Sequence, residues 1–313
     1  MVNLPTQNAF MNRIFLSSVI ALVVSLGSPL HAQTAPPVAT SDRPAVEVSI
    51  IKTSDVTTLE ALTYSGGDYT MAVKLQHIAV LVRHPKGTFL FDAGLGQHID
   101  AQFKEDMPLW ARPFFSYGPV NPARKQLDAA GYAPIARVFL SHGHWDHASA
   151  LVDFPEAQIW LSQQEKDYLD VPHPAAVFPS QISGASMQWK PFQFTNKPYG
   201  GFAQSLDLFD DGSVVFAPLA GHTPGSIVMY VTLGSGKKLL FVGDAVWKSE
   251  AVANQRPKMW IPSSIVDNDK AQTLQAVGEL TRIHARDPSL TIVPAHDAAV
   301  HDAISAYFSH FAK

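Results

Sequence analysis

The chain has 313 residues, of which 46% are hydrophobic and 16% charged, with a formal net charge of −4 and no cysteine. This balance is typical of a folded globular protein, because disordered chains contain fewer apolar residues and more charge. The negative charge argues against nucleic acid as a partner, since nonspecific binding to phosphates depends on lysine and arginine. Without cysteine there is no disulfide and no thiolate nucleophile, and any metal must be bound by nitrogen and oxygen.

The first 32 residues have the pattern of a secretory signal peptide. Arg13 precedes an apolar run of 13 residues, 14–26, and the segment ends in Leu30-His31-Ala32. A bilayer span needs about 20 apolar residues, so a permanent membrane anchor is the weaker alternative. We predict that residues 1–32 are removed and that the mature protein is periplasmic or secreted, with Met1 or Met11 as the start of translation.

Residues 33–44 form a linker rich in proline, serine and threonine, and the sequence predicts one catalytic domain over residues 45–313. Short apolar and β-branched runs bounded by turns predict strands, and longer segments that end at glycine or before proline predict helices. The predicted strands are Val46–Lys52, His77–Arg83, Thr88–Phe91, Arg137–Leu140, Gln158–Leu161, Ser213–Ala217, Ile227–Thr232, Lys238–Val242 and Leu290–Val293. The predicted helices are Pro122–Ala130, Ser162–Leu169 and Asp269–Ala285. Mixing of the two types along the chain favours a layered α/β domain.

Four groups able to bind a metal lie within six residues, directly after the predicted strand Arg137–Leu140. They are His142, His144, Asp146 and His147. Alternate side chains of an extended segment point the same way, so His142 and His144 can bind one metal while the next two reach a second. A polar turn with solvated histidines is the alternative, but it explains one histidine better than four groups at a strand end, where α/β sheets place their binding loops.

Three further groups stand beside apolar strands later in the chain. His222 lies in a glycine-flanked loop before the strand Ile227–Thr232, and Asp244 and His296 each follow an apolar strand. Each alone is as consistent with a polar turn as with a ligand. Their common position beside strand ends predicts that they converge with the earlier group of four.

These seven residues, in this order, resemble the metallo-β-lactamase superfamily over essentially the whole mature chain. The resemblance implies an α/β fold, a single-domain αββα sandwich, with the site along the edge between its sheets. It implies that one metal is bound by His142, His144 and His222, that the other is bound by Asp146, His147 and His296, and that Asp244 bridges them. Asp92 matches an early aspartate that supports the ligands in this family, although a turn-stabilising role is an alternative.

Two divalent ions held in this way can share a hydroxide that attacks a substrate without a protein nucleophile. Asp146 is the candidate for the catalytic proton carrier, because one carboxylate oxygen can bind metal while the other takes a proton. Zinc suits this set of nitrogen and oxygen ligands, and iron, manganese or cobalt remain open. We therefore expect an enzyme with two divalent metal ions per chain.

Within the superfamily the sequence most resembles the N-acyl homoserine lactone lactonases, which act in quorum quenching, and segment 127–132 (LDAAGY) is part of this likeness. The resemblance implies hydrolysis of a neutral, partly apolar ester or lactone. Those lactonases have a tyrosine three residues after the bridging aspartate, where this chain has Trp247. Organophosphate triesters and aryl esters are the alternative substrates, and a thioesterase, a β-lactamase and a noncatalytic metal-binding protein are weaker alternatives.

Two segments are candidates for an apolar lid over the site. The first contains Trp110, Phe114 and Phe115, and the second is Val171–Trp189. With Trp247, the three aromatic residues are the predicted substrate pocket. Packing on the domain's own core or on a second subunit of a homodimer is the alternative. The remaining histidines, including His77 and His301, are interpreted as surface or structural residues.

Overall fold

Two β-sheets lie face to face between layers of helices. The computed structural model describes residues 43–132, 134–304 and 306–313. The predicted signal peptide and all but the last two residues of the predicted linker lie outside the described residues, so these assignments stay predictions.

The first sheet has six strands in the order β1-β2-β3-β4-β5-β6, antiparallel from β1 to β3 and parallel from β3 to β6. Its strands are β1 (Glu47–Leu59), β2 (Ala72–His84), β3 (Gly87–Phe91), β4 (Arg137–Phe139), β5 (Gln158–Ser162) and β6 (Gln188–Phe192). The second sheet has five strands in the order β11-β10-β9-β8-β7, antiparallel except for the pair β10 and β11. Its strands are β7 (Leu206–Asp207), β8 (Val214–Pro218), β9 (Ile227–Thr232), β10 (Lys238–Phe241) and β11 (Thr291–Val293).

The central core lies between the two sheets. Successive side chains of a strand point to opposite faces, so Val80 and Val82 of β2 join the core between the sheets while Leu81 joins the core on the outer face. The rings of Phe139 and Phe216, one from each sheet, stack with centroids 4.8 Å apart. Because both faces of each sheet are covered, most strands are apolar on both sides.

Helices cover the outer face of each sheet. The α-helices are α1 (Ile99–Asp106), α2 (Ala123–Ala129), α3 (Trp145–Ala148), α4 (Gln163–Leu169), α5 (Pro179–Ile182), α6 (Ser249–Ala253), α7 (Trp260–Val266), α8 (Lys270–Arg286) and α9 (Ala298–Ile304). Helices α2, α3 and α4 pack on the first sheet, and α6 and α8 pack on the second. Among the described residues, no helix is both long enough and apolar enough to cross a membrane.

The predicted αββα architecture is confirmed, while several element bounds differ from the prediction. Strand β1 continues beyond Lys52 to Leu59, and β2 begins at Ala72, because a partly exposed two-stranded arm extends from the sheet. Sequence analysis missed β6, which contains Pro191 and exposed polar residues at the edge of the sheet. It also missed β7, which has only two residues.

Candidate metal centre

The seven predicted metal ligands converge at one edge of the sandwich. Each lies in a loop or short helix near a strand end, and packing of the two sheets brings the segment after β4 close to the segments of the second sheet. The loop after β4 and helix α3 contribute four residues, the loop between β8 and β9 one, and the segments after β10 and β11 one each. They are, in chain order, His142, His144, Asp146, His147, His222, Asp244 and His296.

The seven side chains form two clusters, and within each the potential ligand atoms lie within 4.8 Å of one another. The first cluster is His142, His144 and His222, and the second cluster is Asp146, His147, Asp244 and His296.

Asp244 lies between the two clusters. Its Oδ1 is 3.2 Å from His147 Nε2 and 3.0 Å from His296 Nε2 in the second cluster. Its Oδ2 is 3.7 Å from His222 Nε2 in the first cluster. One carboxylate therefore offers an oxygen to each cluster.

Several of these atoms are buried without a hydrogen-bond partner among the described residues. They include Nε2 of His144, Nε2 of His147 and Oδ1 of Asp244. Buried polar atoms are almost always paired, because burial without a partner is unfavourable. These imidazole nitrogens and carboxylate oxygens converge but form poor hydrogen bonds with one another. Such a set of donor atoms fits divalent cations, so it suits the metals that the sequence predicts.

Four of the five imidazoles are held through Nδ1, so that Nε2 points into the centre. His147 Nδ1 lies 2.8 Å from Asp92 Oδ2, and His296 Nδ1 lies 2.8 Å from the carbonyl oxygen of Gln76. His142 Nδ1 is 3.0 Å from the hydroxyl oxygen of Ser141, which donates to Asp92 Oδ2. Metal-binding histidines are typically oriented in this manner by a hydrogen bond from the other ring nitrogen.

His222, the fourth of these imidazoles, is supported by a buried ion pair that sequence analysis missed. His222 Nδ1 lies 2.7 Å from Asp267 Oδ1, and Lys258 Nζ lies 2.8 Å from the same oxygen. Burial alone would raise the pKa of Asp267, but Lys258 and His222 outweigh it and hold that pKa well below its usual range. Lys258 lies 36 residues from His222 in no recognisable motif, so the sequence contained no signal for this pair.

Charge differs between the two clusters. Burial, assisted by neighbouring imidazoles, holds the pKa of His142 and His144 well below the usual value, so both rings are neutral. Burial opposes the charging of His147 and His296, but nearby carboxylates outweigh it, so the pKa of His147 lies well above its usual value and that of His296 rises to about 10. The carboxylates that keep these rings protonated would also attract a divalent cation. A cation bound there would displace the protons from the rings.

Glu165 of α4 connects the two loops of the first cluster. Its side chain is fully buried, with Oε1 accepting from Gly143 N at 2.7 Å and Oε2 2.5 Å from Thr223 Oγ1. Gly143 stands between two predicted ligands, and Thr223 follows a third. The spacing of Ser162 and Glu165 is that of a helix N-cap box, which predicts where α4 begins but not that the carboxyl group would contact both loops.

Glu165→Gln is expected to raise the free energy of unfolding, relative to the wild-type protein, more at pH 8 than at pH 5. Burial raises the pKa of Glu165 to about 7, against hydrogen bonds from Thr223 and Gly143 that lower it. The folded chain therefore keeps a proton that the unfolded chain releases above about pH 4.5, and stability falls as pH rises toward 7, by up to about 3 kcal/mol. Glutamine resembles the protonated form at every pH. The measurement is the melting temperature of the wild type and of Glu165→Gln at each pH. The same difference in melting temperature between the two proteins at pH 5 and at pH 8 would contradict the prediction.

An apolar cavity of about 200 Å³ opens beside the second cluster. Phe114, Phe115 and Trp247, three of the residues predicted for a substrate pocket, line this cavity together with Leu75 and Val266. Its polar end is formed by His144, Asp146, Asp244 and His296.

Two predictions about the pocket need correction. Trp110 is 59% exposed and is not among the residues that line the cavity. The segment Val171–Trp189 does not line it either, and Phe178 of that segment packs in a core cluster with Trp145. Composition and length made these segments candidates for a lid, but neither property specifies which side chain faces the site.

The indole of Trp247 contacts the cluster directly. Its Nε1 donates to Asp244 Oδ2 at 2.7 Å, and its ring lies edge-on to His296 with centroids 6.2 Å apart. Trp247 therefore forms a wall of the cavity and also fixes the orientation of the carboxylate that lies between the clusters.

Two histidines assigned to surface or structural roles are both buried. His301 lies 2.8 Å from the Gln76 side-chain oxygen and 2.9 Å from the carbonyl oxygen of Pro294, outside both clusters. His77 lines the cavity beside Asp146, a position that its sequence context did not indicate.

Comparison with known proteins identifies the family. The model of the Metallo-beta-lactamase superfamily matches residues 73–296, and the chain belongs to this superfamily. The N-acyl homoserine lactonase AttM of Agrobacterium fabrum is 26% identical over 246 residues, which cover 74% of this chain and 84% of that protein. A probable metallo-hydrolase of Mycobacterium tuberculosis is 25% identical over 189 residues, covering 56% of this chain and 59% of that protein.

Solved structures show the same fold. A quorum-quenching N-acyl homoserine lactone lactonase matches with a TM-score of 0.65 at 15% identity, covering 85% of this chain and 98% of that one. AbOPH, a hydrolase in the beta lactamase superfamily, matches with a TM-score of 0.52 at 18% identity, covering 82% of this chain and 88% of that one. With its family and its relatives, the His/Asp site makes the chain a metal-dependent hydrolase, as predicted.

Proposed function

We propose that this hydrolase binds two divalent ions, with zinc the first expectation, and cleaves a neutral, partly apolar ester, with N-acyl homoserine lactones the leading substrates. The observation that carries this proposal is an apolar cavity whose inner end is formed by the metal-binding clusters. The likeness to AttM lactonases supports a lactone in particular.

In this proposal each residue of the site has a chemical role. The first cluster would hold one ion, Asp146, His147 and His296 the other, and Asp244 would lie between both. Bound there, the two ions would lower the pKa of water and polarise the scissile carbonyl group. Asp146 Oδ2 lies 3.2 Å from His296 Nε2, while the residue also lines the cavity, so its carboxylate can hold a proton from water and pass it to the leaving oxygen. Burial opposes ionisation of Asp146, but His147 and His296 outweigh it and keep the pKa of this carboxyl group low, so the group is ionised.

The cavity walls support a neutral substrate. Among the described residues that line it there is no lysine or arginine, and the carboxylates of Asp146 and Asp244 stand at its inner end. Apolar side chains such as Leu75, Phe115 and Val266 can bury an acyl chain. The same walls suit a neutral organophosphate triester or an aryl ester, which are the second candidates.

A substrate panel on the purified, zinc-saturated protein tests the proposal. It should compare kcat/KM for a series of acyl homoserine lactones, an aryl ester, a phosphotriester, a thioester and a β-lactam. We expect the highest kcat/KM with a lactone, and dependence on acyl-chain length because the chain is buried in the cavity. Turnover of the phosphotriester with none of any lactone would replace the leading substrate by the second candidate.

Replacing Trp247 with phenylalanine is expected to lower metal affinity by about tenfold, because it removes the hydrogen bond that orients Asp244. It should also change the preferred acyl-chain length, since the ring is smaller. Metal competition with a chelator measures the first effect, and lactone kinetics in excess zinc measure the second. Wild-type metal affinity in this variant would show that the indole N–H does not support the site.

We propose further that the protein is exported, with residues 1–32 removed. The pattern of Arg13, the apolar run 14–26 and the end at Ala32 supports this proposal. N-terminal sequencing of protein from the periplasm or medium should begin at Gln33. Recovery of an intact segment 14–26 in the membrane fraction would contradict it.

A further inference from the structure

His77 lies in β2, and its ring forms part of the cavity wall without belonging to either metal-binding cluster. It packs between Trp145, with ring centroids 5.9 Å apart, and His296, with centroids 5.4 Å apart. The side chain is only 6% exposed. Among the described residues that line the cavity, it is the one imidazole outside the clusters.

Among the residues that the structure describes, none pairs well with this ring. Nδ1 is buried without a hydrogen-bond partner among the described residues. Nε2 lies 3.9 Å from Asp146 Oδ2, which is too long for a hydrogen bond. A carboxylate on the Nε2 side favours a proton on that nitrogen, because N–H then points its positive end toward the negative charge. The ring therefore presents a donor beside Asp146 that no neighbouring residue uses.

Two other rings at this end of the cavity have nitrogens that are already engaged. Trp247 Nε1 donates to Asp244 Oδ2, and His296 Nδ1 lies 2.8 Å from the Gln76 carbonyl oxygen. Among these rings, His77 is thus the one free to contact a substrate atom next to the proposed proton carrier.

We propose that His77, neutral and protonated at Nε2, donates a hydrogen bond to the leaving oxygen of the substrate beside Asp146. This rests on the proposed function. As water adds to the acyl carbon and the ester C–O bond breaks, the bonding electrons move to the leaving oxygen, which receives the proton from Asp146. His77 keeps its own proton throughout and stabilises the negative charge that develops on that oxygen. The role requires no change in the charge of His77.

The test compares His77→Leu, which removes the donor, with His77→Gln, whose amide can supply one. His84→Leu is the matched control, because His84 is a buried histidine of the same strand that stacks on Phe209 away from the cavity. Each zinc-saturated protein is assayed on an aliphatic lactone and on aryl esters whose leaving phenols differ in acidity. Melting temperature and zinc content are measured in parallel.

We expect His77→Leu to reduce kcat about a hundredfold on the lactone and much less on the ester with the most acidic phenol, because a stable leaving group needs less help. His77→Gln should recover most of that loss, and His84→Leu should show no dependence on the leaving group. An equal loss across the series, or a glutamine variant as poor as the leucine variant, would overturn the proposal and leave His77 a packing residue.

A measurement independent of turnover is the protonation state of the ring in the zinc-loaded protein. Nitrogen-15 NMR, with the His77 signals assigned by their absence in His77→Gln, should show a neutral ring protonated at Nε2, and a proton on Nδ1 would contradict the proposal. If phosphotriesters are cleaved and esters are not, the lactone assignment fails, but the same test applies with aryl phosphotriesters, which also release a phenol. A protein that cleaves none of these substrates overturns both proposals.

Discussion

Asp244→Asn is expected to lose at least one of the two proposed metal ions, together with at least about a hundredfold in kcat/KM. Asp244 directs one oxygen toward His147 and the other toward His222, so its carboxylate joins the clusters. Its negative charge offsets repulsion between two nearby cations, and asparagine keeps the shape of the side chain without that charge. Elemental analysis after dialysis, together with lactone or ester kinetics, measures both losses.

Asp170→Asn is the control for this substitution. Asp170 is an exposed aspartate paired with Lys166 on the surface of α4, where an ion pair contributes little. It should retain the wild-type metal content and activity. Wild-type metal content and activity in Asp244→Asn would contradict the bridging role.

Asp146→Asn is expected to reduce kcat by about a hundredfold to ten-thousandfold in excess zinc, with a much smaller change in KM. The asparagine oxygen can still bind a metal weakly, but the side chain can no longer take a proton from water and give it to the leaving oxygen. The loss should be greatest for substrates with basic leaving groups, which need that proton most. Kinetics on samples of verified metal content separate this effect from metal loss, and a fully loaded variant with wild-type kcat would exclude Asp146 as the proton carrier.

The site residues that could be predicted from the sequence are those that lie close to one another, or to a strand end, along the chain. His142 to His147 lie within one short segment after β4, so their spacing alone predicted a site. His222, Asp244 and His296 were recognisable because each stands beside an apolar strand, and parallel or adjacent strands bring their ends together. The layered fold followed from the same alternation of strands and helices.

Contacts between distant segments had no comparable signal. Asp267 and Lys258 look like ordinary surface charges until folding buries them behind His222. Glu165 resembles a helix-capping residue, and its contacts with Gly143 and Thr223 depend on how α4 packs against two loops. His77 was interpreted as a surface or structural residue because it stands in no recognisable motif. Trp110 was misplaced for a related reason, since composition does not specify which way a loop side chain points.

The most direct test of the proposed dinuclear site is to titrate metal-free protein with zinc and follow hydrolysis of the preferred substrate. Two clusters of potential ligands with Asp244 between them predict that activity rises until two equivalents per chain are bound and then stays constant. Full activity at one equivalent, with a second zinc neither bound nor required, would contradict the account.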